Sequence, residues 1–270
     1  MADISFGGSI PERYDRYLGP ALFEPYARDL AARLPKSAKR VLEVACGTGI
    51  VTKALREAMP AGATLVATDL SEGMVAFARG RLTASSGIEF RPADACALPF
   101  ADASFDAVAC QFGIMFVPDK AVAFREARRV LAPGGTFLFS VWDSLERNPL
   151  SKIAQATVES LFPKDPPPFY KIPFGFYDAQ AIRGLMDGAG FTQVAMQVVD
   201  FRTKSPSARD FAAGLVTGTP MANAIAERGG ITAEQVAERV ASALEEQYGK
   251  GAIDAPMRAL VFSGVAGERA

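Results

Sequence analysis

Histidine is absent from this chain of 270 residues. Its absence excludes a Ser-His-Asp triad, a histidine-ligated zinc ion and a histidine that acts as a general base. Cysteine is scarce: Cys46, Cys96 and Cys110 cannot all pair, and their spacing does not match that of metal ligands. These features predict free thiols in a reducing compartment, which we expect to be the cytoplasm, and no bound metal.

An excess of one charge sign is also missing, because 29 Lys and Arg residues are balanced by 30 Asp and Glu residues. The net charge of −1 argues against a large face that binds nucleic acid. No apolar run reaches 18 residues, and the amino terminus lacks the basic start and apolar stretch of a secretion signal. We therefore expect no nucleic-acid partner and no membrane span.

Short apolar runs alternate with amphipathic segments between residues 37 and 142. Five of these runs have the composition of buried strands, at residues 40–45, 64–68, 88–91, 105–110 and 136–142. The segments between them have helical spacing, and Pro133-Gly134-Gly135 is expected to close the helix over 121–131. This alternation predicts an α/β fold with a Rossmann-like, doubly wound parallel sheet.

The flanking segments predict the rest of the fold. Two further strands at 192–203 and 256–266 complete a seven-stranded, mostly parallel sheet whose last strand is antiparallel, and helices are expected over 179–189 and 233–248. A leucine-rich stripe with a four-residue step predicts an N-terminal helix that breaks at Gly19-Pro20. The segment 162–177 is too rich in proline for a helix or a central strand.

The strongest chemical signal is the segment 41–49, which reads VLEVACGTG. A buried strand runs into a glycine-rich turn and then a helix, an arrangement that lets the backbone approach a ligand closely. Asp69 ends the next strand, where its carboxylate can accept hydrogen bonds from both hydroxyls of a ribose. The dinucleotide fingerprint GxGxxG requires glycine at position 52, and this chain has Thr52. A nicotinamide-dependent oxidoreductase is therefore disfavoured.

The motif ExxxGxG, the acid downstream of it and the order of elements resemble a class I S-adenosylmethionine-dependent methyltransferase. The similarity is greatest to the small-molecule branch that includes the ubiquinone and menaquinone biosynthesis methyltransferases (methyltransferase type 11). Further segments that carry the resemblance are 67–79, 90–100, 104–119 and 127–142. It implies a single methyltransferase domain over 1–270, with an N-terminal helical lid (1–36), a cofactor-binding core (37–142) and helical cap insertions that bind substrate (143–177 and 204–255).

The resemblance also implies S-adenosylmethionine as the cofactor, S-adenosylhomocysteine as the product, and a role for each residue that matches the motifs. Glu43 is expected to order the glycine-rich loop. The residues expected to bind the cofactor are Ala45, Cys46, Gly47, Thr48 and Gly49 at the methionine moiety, Asp69 at the ribose, Leu70, Met74, Asp94 and Ala95 at the adenine, Gln111 and Phe112 beside the sulfonium, and Tyr17 as part of the lid.

A sulfonium methyl group is already electrophilic, so methyl transfer requires mainly alignment of the acceptor and exclusion of water. Without histidine, the acceptor is either nucleophilic already or deprotonated by Asp, Glu, Tyr or water. No catalytic residue can be assigned. A small hydrophobic or aromatic acceptor is expected above the carboxyl ends of the strands, in a pocket whose expected walls are Met115, Phe116, Trp142, Phe169 and Tyr170.

Two other functions are compatible with the sequence. A non-catalytic regulatory protein that binds S-adenosylmethionine or S-adenosylhomocysteine uses the same motifs, because these motifs report binding rather than turnover. A nicotinamide-dependent oxidoreductase is the weaker alternative. The sequence leaves both a monomer and a homodimer open.

Overall fold

The computed structural model describes residues 8, 10–82 and 87–267. Residues 1–7 and 9 of the predicted lid, and residues 83–86 and 268–270, lie outside the described part. The strands are β1 (Arg40–Val44), β2 (Thr64–Asp69), β3 (Ile88–Pro92), β4 (Phe105–Gln111), β5 (Leu131–Trp142), β6 (Phe191–Ser205) and β7 (Ile253–Ala266). The α-helices are α1 (Ile10–Arg13), α2 (Glu24–Ala32), α3 (Ile50–Ala58), α4 (Glu72–Arg81), α5 (Lys120–Val130), α6 (Pro149–Leu161), α7 (Ala179–Gly188), α8 (Ala208–Thr217), α9 (Met221–Arg228) and α10 (Ala233–Tyr248).

The strands form one sheet in the order β3-β2-β1-β4-β5-β7-β6. β1 lies between β2 and β4 and is parallel to both, whereas β7 is antiparallel to its neighbours β5 and β6. The predicted seven-stranded sheet with an antiparallel last strand is thus confirmed. The direction of winding reverses between β1 and β4, which opens a crevice at the carboxyl ends of these two strands.

The central strands are buried on both faces, which explains their continuous apolar runs. Val41 and Leu42 of β1 point to opposite faces of the sheet, and neither is accessible to solvent. Val108 and Ala109 of β4 are buried in the same way. Such strands require cover on both sides, as in other parallel sheets.

The N-terminal helical run does not break at Gly19-Pro20, in contrast to the sequence-based expectation. Residues Tyr14–Phe23 instead form a π-helix between α1 and α2, and the Glu24 N–H donates to the Gly19 carbonyl. A π-helix is wider than an α-helix, so it accommodates the ring of Pro20, which in an α-helix would clash with the carbonyl four residues earlier. The helical run therefore continues through Gly19-Pro20 as a π-helix and does not end there.

Pro133-Gly134-Gly135 also differs from the expectation. The helix α5 ends at Val130, and the three residues lie inside β5, which begins at Leu131. The pairing with β4 jumps there from Phe105–Leu131 to Ala107–Thr136. This bulge places the proline where no ladder hydrogen bond is required, and Gly134 takes the left-handed conformation that favours glycine (φ +78°).

Tyr26 of α2 holds the N-terminal run against the sheet. Its hydroxyl is shared between the carbonyls of Val199 in β6 and Met257 in β7, at 3.2 and 3.1 Å. Its ring makes edge contacts with Phe112 and Trp142, each at a centroid distance of 5.4 Å. These contacts hold the run beside the carboxyl ends of β4 and β5.

The proline-rich segment 162–177 contains only a short 3₁₀-helix, Phe169–Lys171. Its side chains Phe169, Tyr170 and Phe174 are buried, so apolar packing orders a segment that lacks a regular hydrogen-bond ladder. No helix within the described ranges is both long and apolar enough to cross a membrane.

Gly113, directly after β4, is predicted to tolerate no side chain. A Cβ atom there would lie 2.3 Å from Cβ of Ala45 and 2.9 Å from Sγ of Cys110. We expect Gly113→Ala to lower the free energy of unfolding in urea by about 1–3 kcal/mol, as overpacking does. Gly80→Ala in α4 is the control, because its Cβ meets nothing within 4 Å. An equally stable Gly113→Ala variant would contradict the close approach of these loops.

Candidate active site

The residues singled out by the glycine-rich motif meet at the carboxyl ends of β1, β2 and β4. The loop 45–49 connects β1 to α3, Asp69 ends β2, and Gln111 ends β4. Because these strands are adjacent and parallel, their ends face the same crevice. The fold thus brings together three motifs that are up to about 65 residues apart in the chain.

The two glycines of the loop serve different purposes. Gly47 has φ +54°, and a Cβ atom there would meet nothing within 4 Å, so the space above it is open to a ligand. Gly49 has φ +85°, and its Cβ would lie 3.2 Å from that of Ala78 in α4. Gly47 therefore borders a cradle, whereas Gly49 allows α3 and α4 to pack closely.

Asp69 fixes the loop by two hydrogen bonds. Its Oδ2 accepts from the Gly47 N–H and its Oδ1 from the Ser71 N–H, both at 2.9 Å. Burial raises the pKa of this carboxyl, while the backbone N–H groups that it accepts from oppose the increase. Each oxygen retains a second lone pair, so hydroxyls of a ligand can still bind.

Buried polar atoms without a partner surround the loop. Glu43 Oε2, Thr48 Oγ1 and Thr52 Oγ1 have no hydrogen-bond partner among the described residues, and each side chain is at most 1% exposed. Burial raises the pKa of Glu43 to about 8; the neighbouring Thr52 hydroxyl opposes that increase and the charge of Asp69 adds to it. Such atoms normally find a partner, so this cradle fits a polar, nucleoside-containing cofactor.

The residues predicted at the adenine differ in exposure. Leu70 is 74% exposed beside Asp69, as a side chain available to cover an aromatic base. Met74 belongs to α4 and is buried, so its side chain is not exposed as that of Leu70 is. Asp94 is exposed and accepts a hydrogen bond from the Cys96 N–H at 2.8 Å, with Ala95 half-buried beside it.

Gln111 and Phe112 connect the crevice to the N-terminal run. Gln111 Nε2 donates to the Phe23 carbonyl at 3.0 Å, and its Oε1 has no partner in the described chain. Phe112 has φ +53°, an unusual conformation for an aromatic residue, and its ring stacks on Trp142 at 3.7 Å with an angle of 7° between the rings. The turn after β4 thus places the ring of Phe112 against that of Trp142, and the two rings form an aromatic wall.

Beside the cradle lies an apolar cavity that is partly open to solvent. All five residues predicted as the acceptor pocket line it, namely Met115, Phe116, Trp142, Phe169 and Tyr170, and Phe112 joins them. The lining includes no Asp, Glu, Lys or Arg side chain among the described residues. The cavity therefore suits an uncharged, ring-containing molecule.

The two tyrosines of the N-terminal run have different surroundings, and Tyr17 as a cofactor contact stays a prediction. Tyr17 packs against Gly214 of α8 and lies outside the cavity lining, whereas Tyr14 lines the cavity and stacks on Phe23 at 4.7 Å. Asp15, which was also missed, forms an ion pair with Arg81 of α4. Tyr14 lies four residues before Leu18, so the four-residue step of the apolar stripe contained the signal for it.

Residues 42–139 match the family model of the methyltransferase domain. A demethylmenaquinone methyltransferase of Thermus thermophilus is 47% identical over 111 residues, which cover 40% of this chain and 49% of that protein. One from Staphylococcus epidermidis is 29% identical over 208 residues, 70% of this chain and 84% of that protein. Against the Thermus relative, the chain thus spans about half the relative's length.

Solved structures share the fold. A phosphoethanolamine N-methyltransferase 2 from Haemonchus contortus, in complex with phosphomonomethylethanolamine and S-adenosylhomocysteine, superposes with a TM-score of 0.60 at 18% identity. The superposition covers 96% of this chain and 57% of that one.

The matched segment contains the glycine-rich loop, Asp69 and β4, which are the elements that build the cradle. Residues 42–139 are therefore similar to a methyltransferase domain, and the chain shares its fold with solved methyltransferase structures. The relatives from Thermus thermophilus and Staphylococcus epidermidis are named as demethylmenaquinone methyltransferases. In the described ranges, no group of three or more His, Cys, Asp or Glu side chains could hold a metal ion.

Asp69→Ala is predicted to weaken the binding of S-adenosylmethionine, measured by calorimetry, by about 1–3 kcal/mol. The substitution removes the predicted acceptor for the ribose hydroxyls and releases the Gly47 N–H. Asp106→Ala is the matched control, because Asp106 also accepts from two backbone N–H groups, those of Lys39 and Arg40, at the opposite end of the sheet. Equal affinities of the two variants would contradict the ribose role.

Glu43 is predicted to make stability depend on pH. In the unfolded chain its carboxyl ionises near 4.5, whereas in the folded protein the pKa is about 8. Below pH 4.5 the carboxyl is protonated in both states, so its raised pKa does not change the stability. Between pH 4.5 and 8 the stability falls as pH rises, by about 1.4 kcal/mol for each pH unit. Urea unfolding at pH 5 and pH 8 should show Glu43→Gln gaining stability relative to the wild type at the higher pH. Parallel pH dependences would contradict a buried neutral carboxyl.

Proposed function

We propose that this protein transfers a methyl group from S-adenosylmethionine to a small, uncharged molecule with an aromatic or quinol-like ring. The observation that supports this most is the position of the cavity. Phe112, which lines it, directly follows Gln111 at the end of β4, so the cavity adjoins the cofactor cradle. Its lining is aromatic and aliphatic and carries no charged side chain in the described chain.

The cofactor is held by this chain's own backbone and a few side chains in this proposal. The loop 45–49 lines the methionine moiety, Asp69 accepts from the ribose hydroxyls, and Leu70 covers the adenine, with Asp94 and Ala95 at its edge. When bound, S-adenosylmethionine supplies a sulfonium methyl group that is electrophilic without further activation. The open space at Gly47 and the unpartnered atoms of Glu43, Thr48 and Thr52 support this assignment.

The protein's contribution to the chemistry is alignment and the exclusion of water. The cavity holds the acceptor between rings such as Phe112 and Trp142, and orientation alone can lower a barrier by about 7–11 kcal/mol. Tyr14 and Tyr170 are the cavity's phenols, and burial raises the pKa of both above its ordinary value of 10.0. Neither is a base at neutral pH, so an acceptor hydroxyl loses its proton to water.

The chemistry of the cavity wall indicates which class of acceptor it can hold. The relatives are named as demethylmenaquinone methyltransferases, and a naphthoquinol is a flat, uncharged ring of the kind that this cavity suits. A phosphorylated amine, in contrast, would leave its charges unpaired against an apolar wall. We therefore infer a quinol or phenol rather than a phosphorylated or amino acceptor.

The test measures methyl transfer from radiolabelled S-adenosylmethionine to 1,4-naphthoquinol, which is prepared by chemical reduction of the quinone. Phosphoethanolamine is the charged comparison. We expect label in an organic-extractable product with the naphthoquinol and none with phosphoethanolamine. Binding of S-adenosylmethionine without transfer to any ring-containing acceptor in a metabolite extract would instead support a regulatory binding protein. Preferred methylation of phosphoethanolamine would contradict the proposed acceptor class.

Trp142→Ala is predicted to separate acceptor binding from cofactor binding. Its ring stacks on Phe112 and borders the cavity, so its loss should lower kcat/KM for the acceptor by about 10- to 100-fold. The dissociation constant of S-adenosylmethionine should change far less, and Trp142→Phe should recover part of the loss because it retains a ring. Steady-state kinetics and calorimetry measure the two quantities. A loss confined to cofactor affinity would contradict Trp142 as an acceptor wall.

A further inference from the structure

The amino-terminal end of α6 forms part of the cavity wall. Asn148, Leu150 and Ser151 all line the cavity, and α6 continues for 13 residues from Pro149 to Leu161. No side chain caps this helix. An uncapped helix start carries a partial positive charge and backbone N–H groups that lack helical partners.

Asn148 occupies the capping position but is committed elsewhere. Its Nδ2 donates to the carbonyls of Asp143 and Ser144, at 3.1 and 3.0 Å, and also lies 3.2 Å from that of Arg258. Its Oδ1 accepts from the Arg258 N–H at 3.0 Å. The side chain therefore joins α6 to β7 and leaves the first turn of α6 without a cap.

Ser151 adds a hydroxyl to this uncapped turn. The side chain is 7% exposed and lines the cavity, and its hydroxyl has no hydrogen-bond partner among the described residues. Other hydroxyls of the lining are engaged: Tyr170 and Thr219 donate to the Leu215 carbonyl, and Thr203 donates to Sδ of Met257. A buried hydroxyl that faces a cavity without a partner is a binding group for a ligand.

We infer that Ser151 and the first turn of α6 form a subsite for an oxygen atom on the ring of the acceptor, either a hydroxyl, a phenolate or a carbonyl oxygen. This inference rests on the proposed function, because it assigns an orientation to the molecule in the acceptor cavity. The remaining wall is mostly apolar, so it can hold a ring but cannot distinguish one edge of the ring from another. Ser151 is thus the residue that selects which edge of the ring faces α6, and it is a specificity-determining residue.

The binding test uses the only tryptophan of the chain, Trp142, as a reporter inside the cavity. Quenching of its emission gives dissociation constants for 4-bromo-1-naphthol, which is uncharged at neutral pH, and for 1-bromo-4-methylnaphthalene, in which a methyl group replaces the hydroxyl. The ratio of the two constants measures the preference for oxygen. No turnover is required, so the result is independent of whether methyl transfer is observed.

We expect Ser151→Ala to reduce the preference for the naphthol by about three- to tenfold, the contribution of one hydrogen bond. Ser151→Thr, which keeps the hydroxyl, should restore it. Thr203→Val is the matched control, because it removes a lining hydroxyl that Met257 already accepts from, and it should leave the ratio unchanged. Urea unfolding confirms that each variant is folded.

Two results would overturn the inference. One is an unchanged ratio in Ser151→Ala, and the other is an equal loss of affinity for both probes, which is what a purely structural role produces. A shifted ratio together with absent methyl transfer would support the subsite and count against the proposed function alone. Failure of both probes to quench Trp142 in the wild type would reject an aromatic ligand for this cavity, and the subsite with it.

Discussion

The carboxylate of Asp69 is the contact on which the arrangement of the site depends. It accepts one hydrogen bond from the Gly47 N–H and one from the Ser71 N–H, so it joins the loop after β1 to the loop after β2. With these loops joined, the backbone at Gly47 borders open space and Leu70 stays exposed beside it. The carboxylate of Asp69 therefore sets the shape of the cradle independently of any contact with a ligand.

The acceptor cavity depends on a second constraint, the packing of distant segments around one pair of rings. Phe112 leaves β4 in a left-handed conformation, and its N–H donates to the Ser140 carbonyl of β5. Its ring then stacks on Trp142, at the end of β5, and Tyr26 packs against both. The N-terminal run and the proline-rich segment close over this pair because apolar area is buried there.

The electrostatics of the two compartments differ and divide the chemistry between them. The cradle contains Glu43, Thr48 and Thr52 with unpartnered polar atoms, which suits the polar cofactor. The cavity has no charged lining in the described chain, and its two tyrosines have raised pKa values, which disfavours proton abstraction by the protein. The proposed methyl transfer would then rely on holding the acceptor away from water and correctly oriented, and the proposed subsite at Ser151 would set its direction.

The sequence by itself determined the seven-stranded sheet, the glycine-rich loop 45–49 and the aromatic residues of the cavity, because apolar runs, helical spacing and short motifs are local properties. Only the tertiary structure decided that the run continues through Pro20 as a π-helix, that Pro133 lies in a bulge of β5, and that Tyr14 rather than Tyr17 faces the cavity. Each of these outcomes is set by contacts between segments far apart in sequence. A local pattern records which residues can form a helix or strand, but packing across the fold decides how the helix winds and which side chains face the site.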